Sequence, residues 1–396
     1  MKKELLIFTP AILFGIYWAM VKVSLPIVTL LPYYFDTTPQ RIQQIFSIAF
    51  FLSGSFPILW GALIDRFELR RFILVSAMIF ILLNIGLSFS TNIYMFGILF
   101  VLVCSLSSVF LVVGRTLPFL VLNDKSQVQR ALTYAMSGGY LCAWIAPFIS
   151  GYLVVLFSWR SIFFIVPILA VILILIVLFL PKQKELVSRG GVLKNLLMML
   201  THCKKKSFRS NIIIIGLFAF FSQSALISTP FWLSEAYTLK SYNIGYILLP
   251  MLLPGILGPL LSRWLYKKLT YKAVFCISGM LFITAGFIAI FLSIIIYSVD
   301  LSYWLWVIPG VMVNLAMTFM FPIISLLGYR EIKNNYNAAS SVFSLSLYCS
   351  GGIGIYVCSF ISIDTLYIWG ILMLIAIVVA SILFLQDYKD SLLTQK

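Results

Sequence analysis

Charged residues are scarce in this sequence. Asp, Glu, Lys and Arg together make up 10% of its 396 residues, and hydrophobic residues make up 62%. Soluble proteins carry about 25% charged residues, so the shortage excludes a water-soluble fold. Short alternating strands are lacking as well, because the apolar runs are long and unbroken, as at residues 162–180 and 367–385. This excludes a membrane β-barrel, and we predict an all-α membrane protein.

Residues that build metal and catalytic centres are equally few. The sequence has one histidine, His202, and no P-loop run for ATP. No intramembrane nucleophile or pair of carboxylates stands out, so we predict that the protein is not an enzyme and uses no cofactor or metal. The six cysteines fall mostly in apolar runs and lack the spacing of metal ligands or of a disulfide framework: Cys104, Cys142, Cys203, Cys276, Cys349 and Cys358.

The apolar runs have the length of transmembrane helices, about 20 residues each. The first run is too long for the core of a signal peptide and lacks a small-residue cleavage pattern. The sequence predicts twelve spans, at residues 5–31, 43–64, 72–90, 93–114, 131–156, 160–181, 211–234, 242–264, 273–297, 302–327, 338–361 and 365–386.

Basic residues are distributed unequally between the connections. If the amino terminus is cytoplasmic, the even-numbered connections with their adjoining span ends, and both tails, hold 24 of the 28 Lys and Arg residues. The outer connections and their adjoining span ends hold Arg41, Arg160 and Lys240. This asymmetry predicts a multi-pass protein of a bacterial inner membrane with both termini in the cytoplasm. The net charge of +16 is spread over short loops, so we expect contact with the lipid bilayer and no nucleic-acid partner.

The sequence divides into two similar halves. Residues 61–67, GALIDRF, follow span 2 and are echoed after span 8 by residues 258–264, GPLLSRW, at an offset of 197 residues. We predict a six-helix bundle at 1–181, a basic cytoplasmic linker at 182–210 and a second six-helix bundle at 211–396. Parallel six-span halves with a site between them are a recurring plan of secondary transporters.

The connection between spans 2 and 3 carries a family resemblance. Residues 61–71, GALIDRFELRR, resemble the signature of the major facilitator superfamily, with Glu68 in place of the usual glycine and Leu69 in place of a basic residue. The resemblance implies two pseudo-symmetric bundles that alternate access to a central site. It also implies a conformational latch, because a charge-assisted contact here can form in one state and break in the other. The candidate latch residues are Gly61, Asp65, Arg66, Arg70 and Arg71.

Other stretches resemble the bicyclomycin and chloramphenicol resistance branch of drug:proton antiporters. They are residues 22–26, Arg115-Thr116, Arg130-Ala131 and residues 159–163. Residues 146–151, APFISG, look like a degraded antiporter motif with candidate residues Ala146, Pro147, Ser150 and Gly151. The resemblance implies an exporter, with protons as a candidate coupling ion.

The chain departs from that branch at its charges. Lys22 stands where the branch has a first-span aspartate, and Phe100 stands where it has a fourth-span arginine. A lysine would repel a cationic drug and attract a carboxylate or phosphate. Phe14 and Trp18 share a helix face with Lys22, so we expect an amphipathic ligand. The alternative for Lys22 is a side chain that extends to the outer interface.

Further candidate residues for substrate binding lie on other spans. Ser, Thr, Asn and aromatic residues inside membrane helices also serve helix packing, and that alternative stays open for each of them. The candidates are Tyr140, Trp144, Gln223, Ser224, Asn314 and Tyr348.

We therefore predict a secondary active transporter, and by resemblance an exporter. Its substrate would be a small anionic or zwitterionic organic compound, such as a polycarboxylate metabolite or a siderophore, carried by a monomer. One alternative is a multidrug:proton antiporter that exports hydrophobic drugs. An alternative of another class is a receptor or scaffold that binds without transport.

Overall fold

The computed structural model describes residues 2–64, 67–122, 124–178, 201, 203–237, 241–295, 302–329 and 336–393. Regular structure in these residues is helical, and twelve of their helices are long and apolar enough to cross a membrane. The prediction of an all-α membrane protein with twelve spans is therefore confirmed.

The spans are numbered 1 to 12 in chain order. They are Leu6–Ile27, Pro39–Gly61, Leu69–Ser88, Ile93–Phe119, Ser126–Leu156, Trp159–Leu178, Lys206–Glu235, Asn243–Lys268, Tyr271–Ile295, Tyr303–Gly328, Ser341–Cys358 and Leu366–Asp387.

The helices differ from these spans by a few residues at the ends, span 2 is formed by two helices, and the short helix Leu31–Tyr34 lies between spans 1 and 2. The α-helices are Lys2–Val23, Leu31–Tyr34, Pro39–Ser55, Pro57–Ile64, Leu69–Ser88, Ile93–Val121, Lys125–Leu156, Ile165–Leu178, Lys206–Ala236, Ser241–Lys268, Tyr271–Ile295, Val307–Tyr329, Tyr336–Cys358 and Leu366–Leu393. The 3-10 helices are Leu25–Ile27, Trp159–Phe164 and Tyr303–Trp306.

Several boundaries differ from the predicted ones for local reasons. The first α-helix ends at Val23 and a 3-10 turn containing Pro26 follows, because proline has no amide hydrogen to continue the helix. The helix of span 5 begins at Lys125, six residues before the predicted start of that span, and the Asp124 carboxylate accepts a hydrogen bond from the amide of Ser126 at its first turn. Span 7 begins at Lys206, inside the predicted linker 182–210. Residues 182–200 and 202 of that linker lie outside the described residues.

The chain groups into two compact units. Unit 1 comprises Met1–Val192 with Lys240–Leu249, and unit 2 comprises Leu193–Leu239 with Pro250–Lys396. Within unit 1, span 1 packs on spans 4 and 5, and span 3 packs on spans 4 and 6. Within unit 2, span 7 packs on spans 10 and 11, and span 9 packs on spans 10 and 12. The same pairings therefore recur at an interval of six spans, as expected for an internal repeat.

Spans 1 and 7 hold equivalent, enclosed positions in the two units. In each, 72% of the most apolar stretch is buried. Glycine allows the close approach of span 1 to span 5, because a Cβ on Gly138 would lie 2.8 Å from the Cβ of Ala11. A Cβ on Gly15 would lie 2.9 Å from Sγ of Cys142. Small residues at such contacts are typical of membrane helix pairs, where backbones pack closely.

Candidate functional site

Lys22 lies one residue before the end of the first α-helix and is enclosed in unit 1. Its side chain is 3% exposed, which does not fit a side chain extended to the outer surface. In the described part of the chain, its ammonium takes part in no hydrogen bond or ion pair. Two residues on, the buried hydroxyl of Ser24 also has no hydrogen-bond partner among those residues.

Aromatic side chains lie on the turns of span 1 before Lys22. Phe14 is 2% exposed, and its ring lies 2.7 Å from where a Cβ on Gly114 would stand. Trp18 is partly exposed and lies over Gly139, 2.8 Å from the corresponding Cβ position. Its ring centroid is 6.3 Å from that of Tyr140. The structure therefore brings Phe14, Trp18 and Tyr140 together on the side of span 1 that faces span 5.

Trp144 follows Tyr140 by one turn of span 5. Its indole nitrogen donates a 3.1 Å hydrogen bond to the carbonyl of Leu249, which belongs to the same unit. The antiporter-like motif comes next along the helix and is buried at Ala146, Pro147, Ser150 and Gly151. Backbone approaches backbone here, since a Cβ on Gly245 would lie 2.9 Å from the carbonyl oxygen of Pro147.

Two of the unit 2 candidates use their polar groups in contacts between helices. Asn314 accepts a 2.6 Å hydrogen bond from the hydroxyl of Ser222 and donates one of 2.8 Å to the carbonyl of Gly310. Ser224 is fully buried and accepts a 3.1 Å hydrogen bond from the indole of Trp369. These are the hydrogen bonds that helix packing needs in an apolar medium.

Gln223 and Tyr348 differ in exposure. Gln223 is partly exposed, and its Oε1 is enclosed without a hydrogen-bond partner among the described residues. Tyr348 is 3% exposed. Of the unit 2 candidates, Gln223 is therefore the one with an enclosed amide oxygen that no described residue satisfies.

The predicted latch is described in part. Asp65 and Arg66 lie outside the described residues. Arg70 donates a 2.8 Å hydrogen bond from Nη2 to the carbonyl of Leu178, at the end of span 6. Arg71 forms a 2.9 Å ion pair with Glu68, the residue that stands in the usual glycine position. A Cβ added to Gly61 would meet no atom within 4 Å, so steric crowding does not require glycine there.

Most cations in the described spans of unit 1 have partners, and Arg70 and Arg71 are two of them. Arg41 lies over the ring of Tyr94, Arg130 contacts Glu4 and Tyr134, and Arg160 donates to the carbonyl of Ser90. Among the described residues of these spans, Lys22 and Arg115 are the cations without a hydrogen bond, ion pair or ring contact.

A buried acid in the last span was missed by sequence reasoning. Asp387 is 3% exposed at the end of span 12, where its Oδ2 accepts a 2.9 Å hydrogen bond from Nδ2 of Asn211. The apolar run before Asp387 was visible in the sequence, but it did not indicate that the helix continues to Leu393.

Comparison with known proteins identifies the family. The sequence model of the Major Facilitator Superfamily matches residues 10–355. The chain belongs to the major facilitator superfamily. Two solved structures with similar folds are POT family transporters, one in complex with 5-aminolevulinic acid and one in complex with a thioalcohol conjugated peptide. Each is 14% identical in sequence and covers 98% of this chain and 96% of its own, with TM-scores of 0.75 and 0.74. No curated protein matches the chain.

Membership of the major facilitator superfamily makes this chain a multi-pass membrane protein and a secondary transporter rather than an enzyme. The narrower resemblance to the bicyclomycin and chloramphenicol branch stays a prediction, because the structural neighbours are POT family transporters.

Proposed function

We propose that this major facilitator protein exports a small anionic or zwitterionic organic compound, of the kind represented by polycarboxylate metabolites and siderophores. The observation that carries the proposal is the ammonium of Lys22, which is buried in span 1 and has no acidic partner in the described part of the chain. An ionisable group at membrane depth is costly and is by default a candidate for function.

The sign of the charge determines the class of ligand. Among the described residues, the acids within spans are Glu235 and Asp387, at the ends of spans 7 and 12 in unit 2. No described acid in the spans of unit 1 could attract a cationic drug to Lys22. A carboxylate or phosphate of the substrate would instead supply the missing counter-charge, and such charge-assisted hydrogen bonds are among the stronger ones.

The aromatic surface before Lys22 supports an organic anion rather than an inorganic one. The ring centroids of Trp18 and Tyr140 lie 6.3 Å apart, and both side chains are partly exposed. Trp18 precedes Lys22 by about one turn of the first α-helix. Aromatic rings bury apolar parts of a ligand, so the pair suits an amphipathic molecule. Phe14 packs against Gly114 and Gly139 and would add apolar surface to the same side of span 1.

The proposed alternating access, latch, orientation and coupling ion follow from the family resemblance. The bundles 1–181 and 211–396 would rock about the site, with 182–210 as their connection. Arg70, Arg71 and the undescribed Asp65 and Arg66 would latch one state. We place both termini in the cytoplasm of a bacterial inner membrane and name protons as the candidate coupling ion.

Similarity of fold gives limited further support. One structural neighbour holds 5-aminolevulinic acid, whose name denotes a molecule with an amine and a carboxylic acid. A small zwitterion therefore fits at least one protein with this fold.

The test is flux through full-length protein reconstituted in liposomes. The probes are radiolabelled citrate and 5-aminolevulinate, with the cation tetraphenylphosphonium for comparison. We expect the native protein to carry citrate, 5-aminolevulinate or both. Lys22→Gln should reduce that flux about tenfold or more, because removal of a charged hydrogen-bonding partner costs roughly 1.5–3 kcal/mol. Lys22→Arg should retain part of the flux, and Lys272→Gln, at the exposed start of span 9, should leave it unchanged.

The opposite pattern would overturn the proposal. Export of tetraphenylphosphonium with no anion flux would favour a multidrug antiporter. Anion binding without flux would favour a receptor or scaffold. Repeating the measurement with and without an imposed pH gradient tests proton coupling, since a coupled flux follows the gradient and an uncoupled one ignores it.

A further inference from the structure

We propose that the end of span 8 is a binding site for an anionic phospholipid, with Arg263, Lys267 and Lys268 as the cations that hold its headgroup. The inference goes beyond the proposed function, since it concerns the membrane around unit 2 and not the transported compound. It requires only that span 8 crosses a bilayer, as the family and the length of the helix indicate.

The end of span 8 repeats the sequence after span 2 but lacks its acids. At the offset of 197 residues, Ser262 stands in place of Asp65, and Leu265 stands in place of Glu68. In unit 1, Glu68 forms a 2.9 Å ion pair with Arg71. The basic positions are kept, as Arg66, Arg70 and Arg71 in unit 1 and as Arg263, Lys267 and Lys268 in unit 2. Unit 2 therefore keeps the positive charges and lacks the acid that engages one of them in unit 1.

The three cations of span 8 are exposed, and no described acid pairs with them. Arg263 and Lys267 form no hydrogen bond, ion pair or ring contact in the part of the chain that the structure describes. Lys268 has a ring contact, in which its Nζ lies 4.7 Å from the ring centroid of Trp264. Three positive charges within six residues are therefore available to an anionic partner.

Span 8 has two different faces at this end. On one face, the hydroxyl of Ser262 donates a 3.3 Å hydrogen bond to the carbonyl of Thr318, and the hydroxyl of Tyr266 donates to the carbonyl of Phe319. These contacts hold the helix against span 10. The cations follow Ser262 and Tyr266 by one or two positions, which rotates them about 100–200° around the helix axis. They therefore lie on the face that does not pack on span 10.

The exposed face changes from apolar to aromatic to cationic along the helix. Leu260, Trp264 and Lys268 follow one another at intervals of four residues, so they lie along one side. Leu260 is 67% exposed and Trp264 is 54% exposed. Leu260 and Lys268 are about 12 Å apart along the axis, within one leaflet of a bilayer about 40–45 Å thick. Tryptophan is enriched at the interface between the apolar core and the headgroups, so the order matches the acyl chain, the interface and the phosphate of a phospholipid.

An anionic phospholipid fits this face better than a free anion or a neutral lipid. A soluble phosphate would balance the cations but would leave Leu257, Leu260 and Leu261 exposed. A phospholipid without net charge would cover the leucines but would not balance the cations. Basic residues at the end of a membrane helix attract anionic headgroups, and the acyl chains of the same molecule can lie along the leucines. We therefore assign the face to an anionic phospholipid.

Quenching of Trp264 by brominated lipids in the full-length, reconstituted protein tests the proposal. Bromine atoms on the acyl chains of phosphatidylglycerol or phosphatidylcholine quench the fluorescence of an indole that they contact. The part due to Trp264 is the difference between each chain and the same chain with Trp264→Phe. We expect Trp264 to prefer phosphatidylglycerol over phosphatidylcholine. The preference should fall about fivefold for each cation removed, until none remains.

The variants remove charge without disturbing the ring contact of Trp264. Arg263→Gln and Lys267→Gln each remove one cation, and Arg263→Gln/Lys267→Gln removes two. Lys268 stays in place, because it contacts the indole whose fluorescence is measured. The matched control is Arg130→Gln, at the start of span 5, where the guanidinium is already engaged by two other side chains. It should leave the preference unchanged.

Several outcomes would overturn the lipid site. They are an absence of Trp264 quenching by either lipid, equal quenching by both, and an equal loss of preference in Arg130→Gln, which would report net charge alone. Inorganic phosphate and chloride are also compared at the same ionic strength. Equal effects of the two salts are expected for a bound lipid. Displacement of phosphatidylglycerol by phosphate alone would show that the cations bind a free anion and would overturn the assignment to lipid.

Discussion

Asn211 at the start of span 7 donates a 2.9 Å hydrogen bond from Nδ2 to Oδ2 of Asp387 at the end of span 12. The same amide nitrogen donates to the carbonyl of Ser207 at 2.8 Å, and both Asn211 and Asp387 are almost completely buried. Spans 7 and 12 of unit 2 are therefore joined by a buried hydrogen bond between residues that are distant in the sequence.

Removing this contact should destabilise the protein. We expect Asp387→Ala to lower the free energy of unfolding by about 1–3 kcal/mol, the usual cost of leaving a buried hydrogen-bonding group such as the Asn211 amide without its partner, and Asp387→Asn to lose less. Thermal unfolding in detergent measures the effect. The control is Asp36→Asn at an exposed position with a φ of 46°, which asparagine adopts readily. Equal unfolding temperatures for Asp387→Ala and the native protein would refute the contribution.

Substitution by alanine should change stability differently at Gly354 and Gly61. A Cβ on Gly354 would lie 2.9 Å from the backbone carbonyl carbon of Phe220 and closer still to its oxygen, whereas a Cβ on Gly61 would meet nothing within 4 Å. Backbone cannot rotate away, so Gly354→Ala should cost roughly 1–3 kcal/mol by separating spans 7 and 11. Gly61→Ala should be neutral or slightly stabilising, because alanine favours helix. Size-exclusion chromatography and thermal unfolding of both variants provide the comparison.

The spans were predictable because hydrophobic length is dictated by the membrane itself. Their ends were not, since residues 206–210 and 125–130 are polar enough to be predicted as loops but belong to the helices of spans 7 and 5. Hydropathy reports the thickness of the apolar layer, whereas a helix continues until capping or proline ends it.

The candidate site was less predictable, because side-chain direction depends on packing partners far along the chain. The sequence placed Phe14, Trp18 and Lys22 on one helix face. It did not indicate that the ring of Phe14 packs on Gly114 and the ring of Trp18 on Gly139. Asn314 was a candidate because it is a polar residue in an apolar span. The sequence did not indicate that its hydrogen-bond partner is Ser222, which lies 92 residues away. The sequence marked Arg115 as part of the family resemblance. It did not indicate that Arg115 lacks a partner in the described part of the chain, because that depends on where folding places the acids and carbonyls that contact the other arginines.

Gly15 and Cys142 should show coupled effects. A Cβ on Gly15 would lie 2.9 Å from Sγ of Cys142, so Gly15→Ala should destabilise unit 1 by about 1–2 kcal/mol through overpacking. Cys142→Ala removes the sulfur and should restore most of that loss in the double variant. A double-mutant cycle on unfolding temperature measures the coupling, and strictly additive effects would contradict the contact.

The neighbouring Arg70 and Arg71 should contribute unequally to stability. Arg70 ties span 3 to the end of span 6 through the carbonyl of Leu178, and a net hydrogen bond is worth about 1 kcal/mol. Arg71 pairs with Glu68 three residues away while its own side chain is 78% exposed, and such pairs contribute little. Arg70→Ala should therefore unfold at a lower temperature than Arg71→Ala. The reverse order would contradict this assignment.

Cys203 offers a test of the predicted topology, because it precedes span 7 and the other cysteines lie within spans. Burial raises the pKa of its thiol above the ordinary value. The thiolate is the reactive form, so labelling by a membrane-impermeant maleimide should rise with pH through an inflection above about 8.5, the value for a free thiol. In a Cys276→Ser background, we expect labelling in inverted vesicles and protection in right-side-out vesicles, with Cys203→Ser as the blank. Labelling of Cys203 from the outside would contradict the prediction that both termini are cytoplasmic and would reverse the orientation of every span.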